Sequence, residues 1–282
     1  MATHDVITDT ILSEMESPPI AGDTIYVSRG AMFDIDQNLA CLLIRLGEES
    51  GGASPANERY GIVTQRPGTK ITFDGAASIT ASGIYCNPAS ADASSKNNKV
   101  YIPGLSANVA EWDIATEWDT DVRFSCHMTY GYVDIKNLHI LANTSYNLGV
   151  NQFYLRPHTD FAPAGARFRL NRVHIPHIYG IGIYLAGAPT GNRNLPVDAK
   201  RCIMDGYSNW AHTFIYDASL GLDSQGTIDF SDFMWNSQNG GNTKSVFITR
   251  TQKDMYIVNN IASFADIRGQ GKDGITKISL LP

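Results

Sequence analysis

The sequence predicts an all-β chain wound as a parallel β-helix, a solenoid of roughly 30-residue turns. An eight-residue apolar pattern recurs through the second half of the chain. A second apolar pattern interleaves with it at nearly the same period. Charged residues are only 18% of the chain, a balance that suits short strands and turns better than long solvent-facing helices.

Residues 133–140 read Val-Asp-Ile-Lys-Asn-Leu-His-Ile: apolar, any, apolar, two polar, apolar, any, apolar. Copies start at Phe168, Val197, Ile228 and, more weakly, Tyr256, at offsets of 35, 29, 31 and 28 residues. Between them lie apolar-any-apolar segments with Phe124 and Cys126, Phe153 and Leu155, Ile183 and Leu185, Phe214 and Tyr216, and Val246 and Ile248. Period-two alternation turns positions 1 and 3 of the longer pattern inward, and the polar pair at positions 4 and 5 then breaks the strand. Asn137, Asn171, Asn259 and Asn260 make this an Asn-rich corner. Stacking turns about 4.8 Å apart would align Val133, Phe168, Val197, Ile228 and Tyr256 in one internal column. A sandwich of evenly spaced strands is the competing reading. A helical-repeat array is disfavoured by the alternation and by the glycine-rich loops at 180–191 and 239–242.

Through these copies the chain resembles the right-handed parallel β-helix, pectin-lyase-like superfamily, and especially the spike and adhesin proteins of tailed bacteriophages. The resemblance implies a rigid coil that projects a binding surface from a particle. It covers a little over half the chain. Polygalacturonase-like relatives build their sites from aspartates on neighbouring turns.

The organisation divides at composition shifts. Residues 1–65 read as an N-terminal cap or attachment segment, with a strand pair around Arg29 and Gly30, an apolar run at 39–46 and a loop at 47–57. Residues 66–121 read as irregular first turns, with Ile71, Phe73, Ile79 and Ile84 set among Gly68, Gly75 and Gly83 and an exposed small-residue loop at 89–98. Residues 122–282 form the regular coil, closed by a final strand at 275–281. An open last turn exposes strand edges, so the reading expects a homo-oligomer, for which a trimer fits, assembled with other virion proteins.

The 22 basic and 28 acidic residues give a net charge of −6, so no broad basic surface suits nucleic acid. No stretch is apolar enough for a membrane-spanning helix. Acidic residues near the start argue against a secretion signal, which favours synthesis in the host cytoplasm and residence in the virion over a bacterial surface adhesin. Cys41, Cys86, Cys126 and Cys202 are too scattered for a zinc site or a disulfide framework and read as buried thiols.

Asp198 and Asp229 occupy the outward second position on adjacent turns, a spacing a retaining glycosidase uses; Arg169 beside them would depress rather than raise an acid catalyst. His139 and His174 neighbour each other, with His177 close by, but no third ligand is fixed and no metal or cofactor is expected. Tyr207 and Trp210, near Asp205 and Asp217, suit a glycan surface: rings stack on sugars and carboxylates hold hydroxyls. Trp235 points inward. These features favour a structural or host-interaction component of a phage particle that binds bacterial surface polysaccharide. A tailspike-type polysaccharide hydrolase or lyase is the alternative.

Overall fold

The computed structural model describes residues 1–74, 81–86, 92–114, 123–142, 151–155, 168–178, 181–185, 197–206, 212–217, 227–231, 234–237, 243–249, 254–262, 267–269 and 276–280, as backbone alone beyond Ile203 and at 81, 123–124, 142, 151–152, 154, 176–178, 181–182, 184–185 and 197. Among them the chain is all β apart from two 3-10 turns, Leu12–Glu14 and Ala93–Asn97. Its strands build a ten-stranded and a fifteen-stranded sheet in which every pairing is parallel, plus one antiparallel pair, Glu48–Glu49 with Gly52–Ala53.

Parallel neighbours cannot be joined by tight hairpins, so the chain passes back and forth between the two sheets. The segment around Arg29 and Gly30 is therefore not a strand pair: Thr24–Val27 belongs to the smaller sheet and Met32–Ile35 to the larger. The apolar run at 39–46 divides at Leu42, with Leu39–Cys41 in the larger sheet and Leu43–Leu46 in the smaller. The expected exposed loop at 89–98 is also corrected where it is described. Ala93–Asn97 is a turn that buries Ser94 and Ser95, and the buried Asn98 after it accepts from Gly61 N at 2.9 Å.

The regular right-handed β-helix is overturned by the continuity of the larger sheet. Strands Tyr132–Ala142 and Phe168–Ile178 run straight through the expected corner. Tyr132–Ala142 pairs with Lys99–Pro103 along its first half and with Ala110–Ile114 along its second. Both halves of the repeat thus lie in one parallel sheet that curls toward a half-barrel, not on the discrete rungs of a solenoid. The likeness to pectin-lyase-like coils and phage spikes falls with that geometry. The physical cause sits at position 5 of the pattern. Asn137 and Arg172 adopt φ values of 51° and 56° inside continuous strands, bending them without ending the ladder, whereas Arg201, at 55°, lies between Val197–Lys200 and Ile203–Gly206, two strands of the same sheet. Asn137 also donates from Nδ2 to Gly104 O at 2.6 Å, so the bend is held to its neighbour. Asn171, expected at the corner, is not the left-handed residue; Arg172 is.

Burial follows register. In the larger sheet Phe33, Val63, Val100, Val133 and Phe168 are successive partners and all buried, and the column continues through Val197 and Ile228. It then meets Met255 rather than Tyr256, which pairs with Asp229. In the smaller sheet Ile25, Ile44, Ile84, Cys126, Phe153 and Ile183 form an equivalent buried column. Phe73, Trp112 and Phe153 fill the interior, Trp112 meeting Phe73 edge-to-face and stacking on Phe153, each at 6.0 Å. The four cysteines are buried and unpaired, and desolvation pushes every thiol upward, so none is a thiolate at neutral pH.

Candidate functional site

The smaller sheet buries every second residue and leaves the residue between on its outer face. In Thr24–Val27 the buried pair Ile25 and Val27 flanks Tyr26; in Leu43–Leu46 the pair Ile44 and Leu46 flanks Arg45. Ile84 and Cys86 likewise flank Tyr85, and Cys126 and Met128 flank His127. All four outer side chains are half-buried.

Parallel, in-register pairing brings these middle residues into one line. Tyr26 partners Arg45, Arg45 partners Tyr85, and Tyr85 partners His127. The same register position continues through Tyr154, Tyr184 and Tyr216 before reaching Ile248 and Arg268. From Tyr26 to Tyr216 six of the seven successive positions are aromatic. At about 4.8 Å per strand the line runs roughly 29 Å across the sheet.

The described rings are already arranged as platforms. Tyr85 and His127 stack with centroids 5.5 Å apart and planes 19° apart. The Arg45 guanidinium carbon lies 6.0 Å from the Tyr26 ring centre, while Arg45 Nε is 2.6 Å from Glu48 Oε2. His127 Nε2 is 2.9 Å from Thr129 Oγ1. Burial pushes the His127 imidazole down to about 4, so at neutral pH it is an uncharged ring. Chemically the described part of the row is a stacking surface of half-buried rings.

The larger sheet presents a different outer face. Asp34, Thr64, Tyr101, Asp134, Arg169, Asp198 and Asp229 are successive register partners there. Ion pairs cross this face: Arg66 with Asp34 at 2.7 Å, Lys70 with Asp113 at 3.6 Å, and Arg169 with Asp134 at 3.5 Å. Lys99 Nζ sits between the rings of Tyr101 and Tyr132, 4.3 and 5.3 Å from their centres.

The structure places the residues singled out in the sequence as follows. Asp198 and Asp229 are direct register partners, with Arg169 on the other side of Asp198. His139 and His174 are partners as well, their rings edge-to-face at 6.0 Å. Their row also holds Glu111, a carboxylate the repeat alone did not reveal, yet the described residues contain no set of three side chains able to hold a metal. Asp205 lies in Ile203–Gly206 of the larger sheet and Asp217 in His212–Asp217 of the smaller, so they do not share a sheet. Tyr207 and Trp210 lie outside the described residues. Trp235 pairs with Met204.

Sequence reasoning did not single out the aromatic row, and it aligned Phe214 and Tyr216 with Ile183 and Leu185, whereas register puts Ile215 beside Ile183. Phe247, not Val246, follows Ile215, and Cys126, not Phe124, precedes Phe153. The available signal was the middle residue of each short segment: Ile25-Tyr26-Val27, Ile84-Tyr85-Cys86, Phe153-Tyr154-Leu155 and Ile183-Tyr184-Leu185. No family model, curated protein or solved structure matches this chain.

Proposed function

We propose that the protein is a non-catalytic binding scaffold for extended polysaccharide, serving as a host-interaction component of a bacteriophage particle. The single observation that supports the binding role is the outer-face row of Tyr26, Tyr85 and His127 on the smaller sheet, whose register position continues through Tyr154, Tyr184 and Tyr216. Sugar rings present apolar faces to aromatic platforms while their hydroxyls bond polar groups at the edge, and a linear row suits a linear polymer. Strands clamped in parallel register fix the platforms beforehand, so little ordering entropy opposes binding. The low charge of the row suits contacts of this kind.

The test is retention on immobilised bacterial surface polysaccharides, comparing the parent with a Tyr26→Ala, Tyr85→Ala double variant. Each lost platform weakens binding by on the order of 1 kcal/mol, so the pair costs roughly tenfold or more in Kd. Unchanged retention by a folded double variant contradicts the assignment. A labelled parent protein that marks intact bacteria of a susceptible strain, but not mutants lacking the polysaccharide, supports the particle role.

The register of Asp198 with Asp229 favours one second reading, a polysaccharide hydrolase or lyase with these carboxylates as acid and base. Release of reducing ends that disappears in Asp198→Asn would establish it.

A further inference from the structure

We infer that the aromatic column selects uncharged polysaccharide over acidic polysaccharide. This rests on the glycan-binding reading and adds the ligand's charge class to it. The supporting observation is charge compensation within and around the row. Among the row's described side chains the cation is Arg45, held 2.6 Å from Glu48 and spread over the Tyr26 ring. The ring that could become cationic, His127, is an uncharged imidazole at neutral pH.

The flanks repeat the pattern. Two residues before the row, on the same face by period-two alternation, stand Thr24, Leu43, Gly83 and Ser125; two residues after it stand Ser28, Gly47 and Thr129. None of these is charged. At the first edge, Asp5 partners Tyr26 and its carboxylate already accepts Ser50 N at 2.7 Å together with the Ser50 hydroxyl. Arg29 just beyond is paired with Glu49 at 2.9 Å. A uronic-acid polymer laid over Tyr26, Arg45, Tyr85 and His127 would thus meet, among the described side chains, no uncompensated cation to offset desolvation of its carboxylates, against a chain of net charge −6. A neutral chain of hexoses has no such cost, and the half-buried rings of Tyr26 and Tyr85 carry hydroxyls able to bond it.

The experiment is affinity electrophoresis and titration calorimetry of the full chain with soluble mannan, mixed-linkage β-glucan and polygalacturonate. It is run at low and high salt and repeated with Tyr85→Ala and Glu48→Gln. The inference expects a neutral polymer to bind, with Kd changing less than about twofold between about 20 mM and about 500 mM NaCl, because no charge pairing contributes. Tyr85→Ala weakens that binding, and polygalacturonate does not bind the parent. Glu48→Gln uncovers Arg45 and produces salt-sensitive polygalacturonate binding. Preferential, salt-sensitive binding of polygalacturonate by the parent, lost in Tyr85→Ala, would overturn the charge selection while keeping the column as a glycan site. Failure of all three polymers to bind overturns both the selection and the glycan-binding reading.

Discussion

Gln65 makes the sharpest test of how the curl of the larger sheet is held. Its side chain is fully buried at the end of Ile62–Gln65. Nε2 donates to Thr69 O at 2.9 Å and to Glu111 O at 3.2 Å, and Oε1 accepts from the indole of Trp112 at 2.9 Å. One amide thus ties a strand, the turn after it and the strand Ala110–Ile114, and it satisfies the polar edge of a fully buried ring. Gln65→Leu keeps the volume and removes every bond. Thr69 O keeps Glu111 N at 3.0 Å, so the main loss is the stranded indole N–H and the weakened Glu111 carbonyl. A buried unsatisfied donor costs about 1–3 kcal/mol and Leu returns some apolar burial, so the net loss is about 1–2 kcal/mol. For a chain of this size that lowers Tm by about 2–4 °C.

Urea unfolding followed by indole emission measures the loss. Gln65→Glu adds a pH signature: a buried carboxyl facing two carbonyls is held protonated, its folded pKa raised above the unfolded value of about 4.3. Its penalty is small below that value, grows as pH rises through the window up to the raised pKa, and then levels off. A Leu variant within about 0.5 kcal/mol of the parent, or a Glu variant with a pH-independent deficit, would refute this account of the amide.

Three further outcomes follow from the same geometry. Asp23 is buried and accepts from Ala2 N, His4 Nε2 and Ile20 N; the Ala2 amide above all holds its carboxyl down at about 2. Its stabilisation is complete above the ordinary carboxylate value near 3.8 and lost as pH falls through about 2. Asp23→Asn therefore costs roughly 1–2 kcal/mol at pH 6 in urea titrations, and the gap to the parent closes toward pH 2. Gly83 has φ +118° and a Cβ there would stand 2.2 Å from Ser125 O, so Gly83→Ala should cost about 2 kcal/mol or more in calorimetry and disturb Tyr85 two residues on. Ser125 Oγ is buried without a partner, so Ser125→Ala should leave thermal stability unchanged or raise it by up to about 1 kcal/mol.

The repeat was legible in the sequence wherever apolar and polar residues alternate cleanly. Val133, Phe168, Val197 and Ile228 align as their spacing implies. Parity failed where neighbours are all apolar, as in Phe214-Ile215-Tyr216 and Met255-Tyr256-Ile257, because a one-residue slip there leaves the hydrophobic pattern intact while turning every side chain over. The bend was placed at the right pair of positions, but its left-handed residue is arginine in two copies, against local preference. Whether a bent strand breaks into rungs or stays in one sheet depends on what pairs with each half. For Tyr132–Ala142 those partners lie about 20 to 40 residues earlier, beyond what local pattern reports. The carboxylate pair could be read from the repeat, whereas the aromatic column emerged only once register fixed which face Tyr26, Tyr85 and His127 share.

The most direct measurement is a crystal structure of the protein with a bound linear oligosaccharide from a polysaccharide that it retains. The account predicts sugar rings seated over Tyr85 and His127, with the chain axis running across the strands along the row. Sugar seated instead at the Asp198 and Asp229 strands of the larger sheet, with the tyrosine row bare, would contradict it.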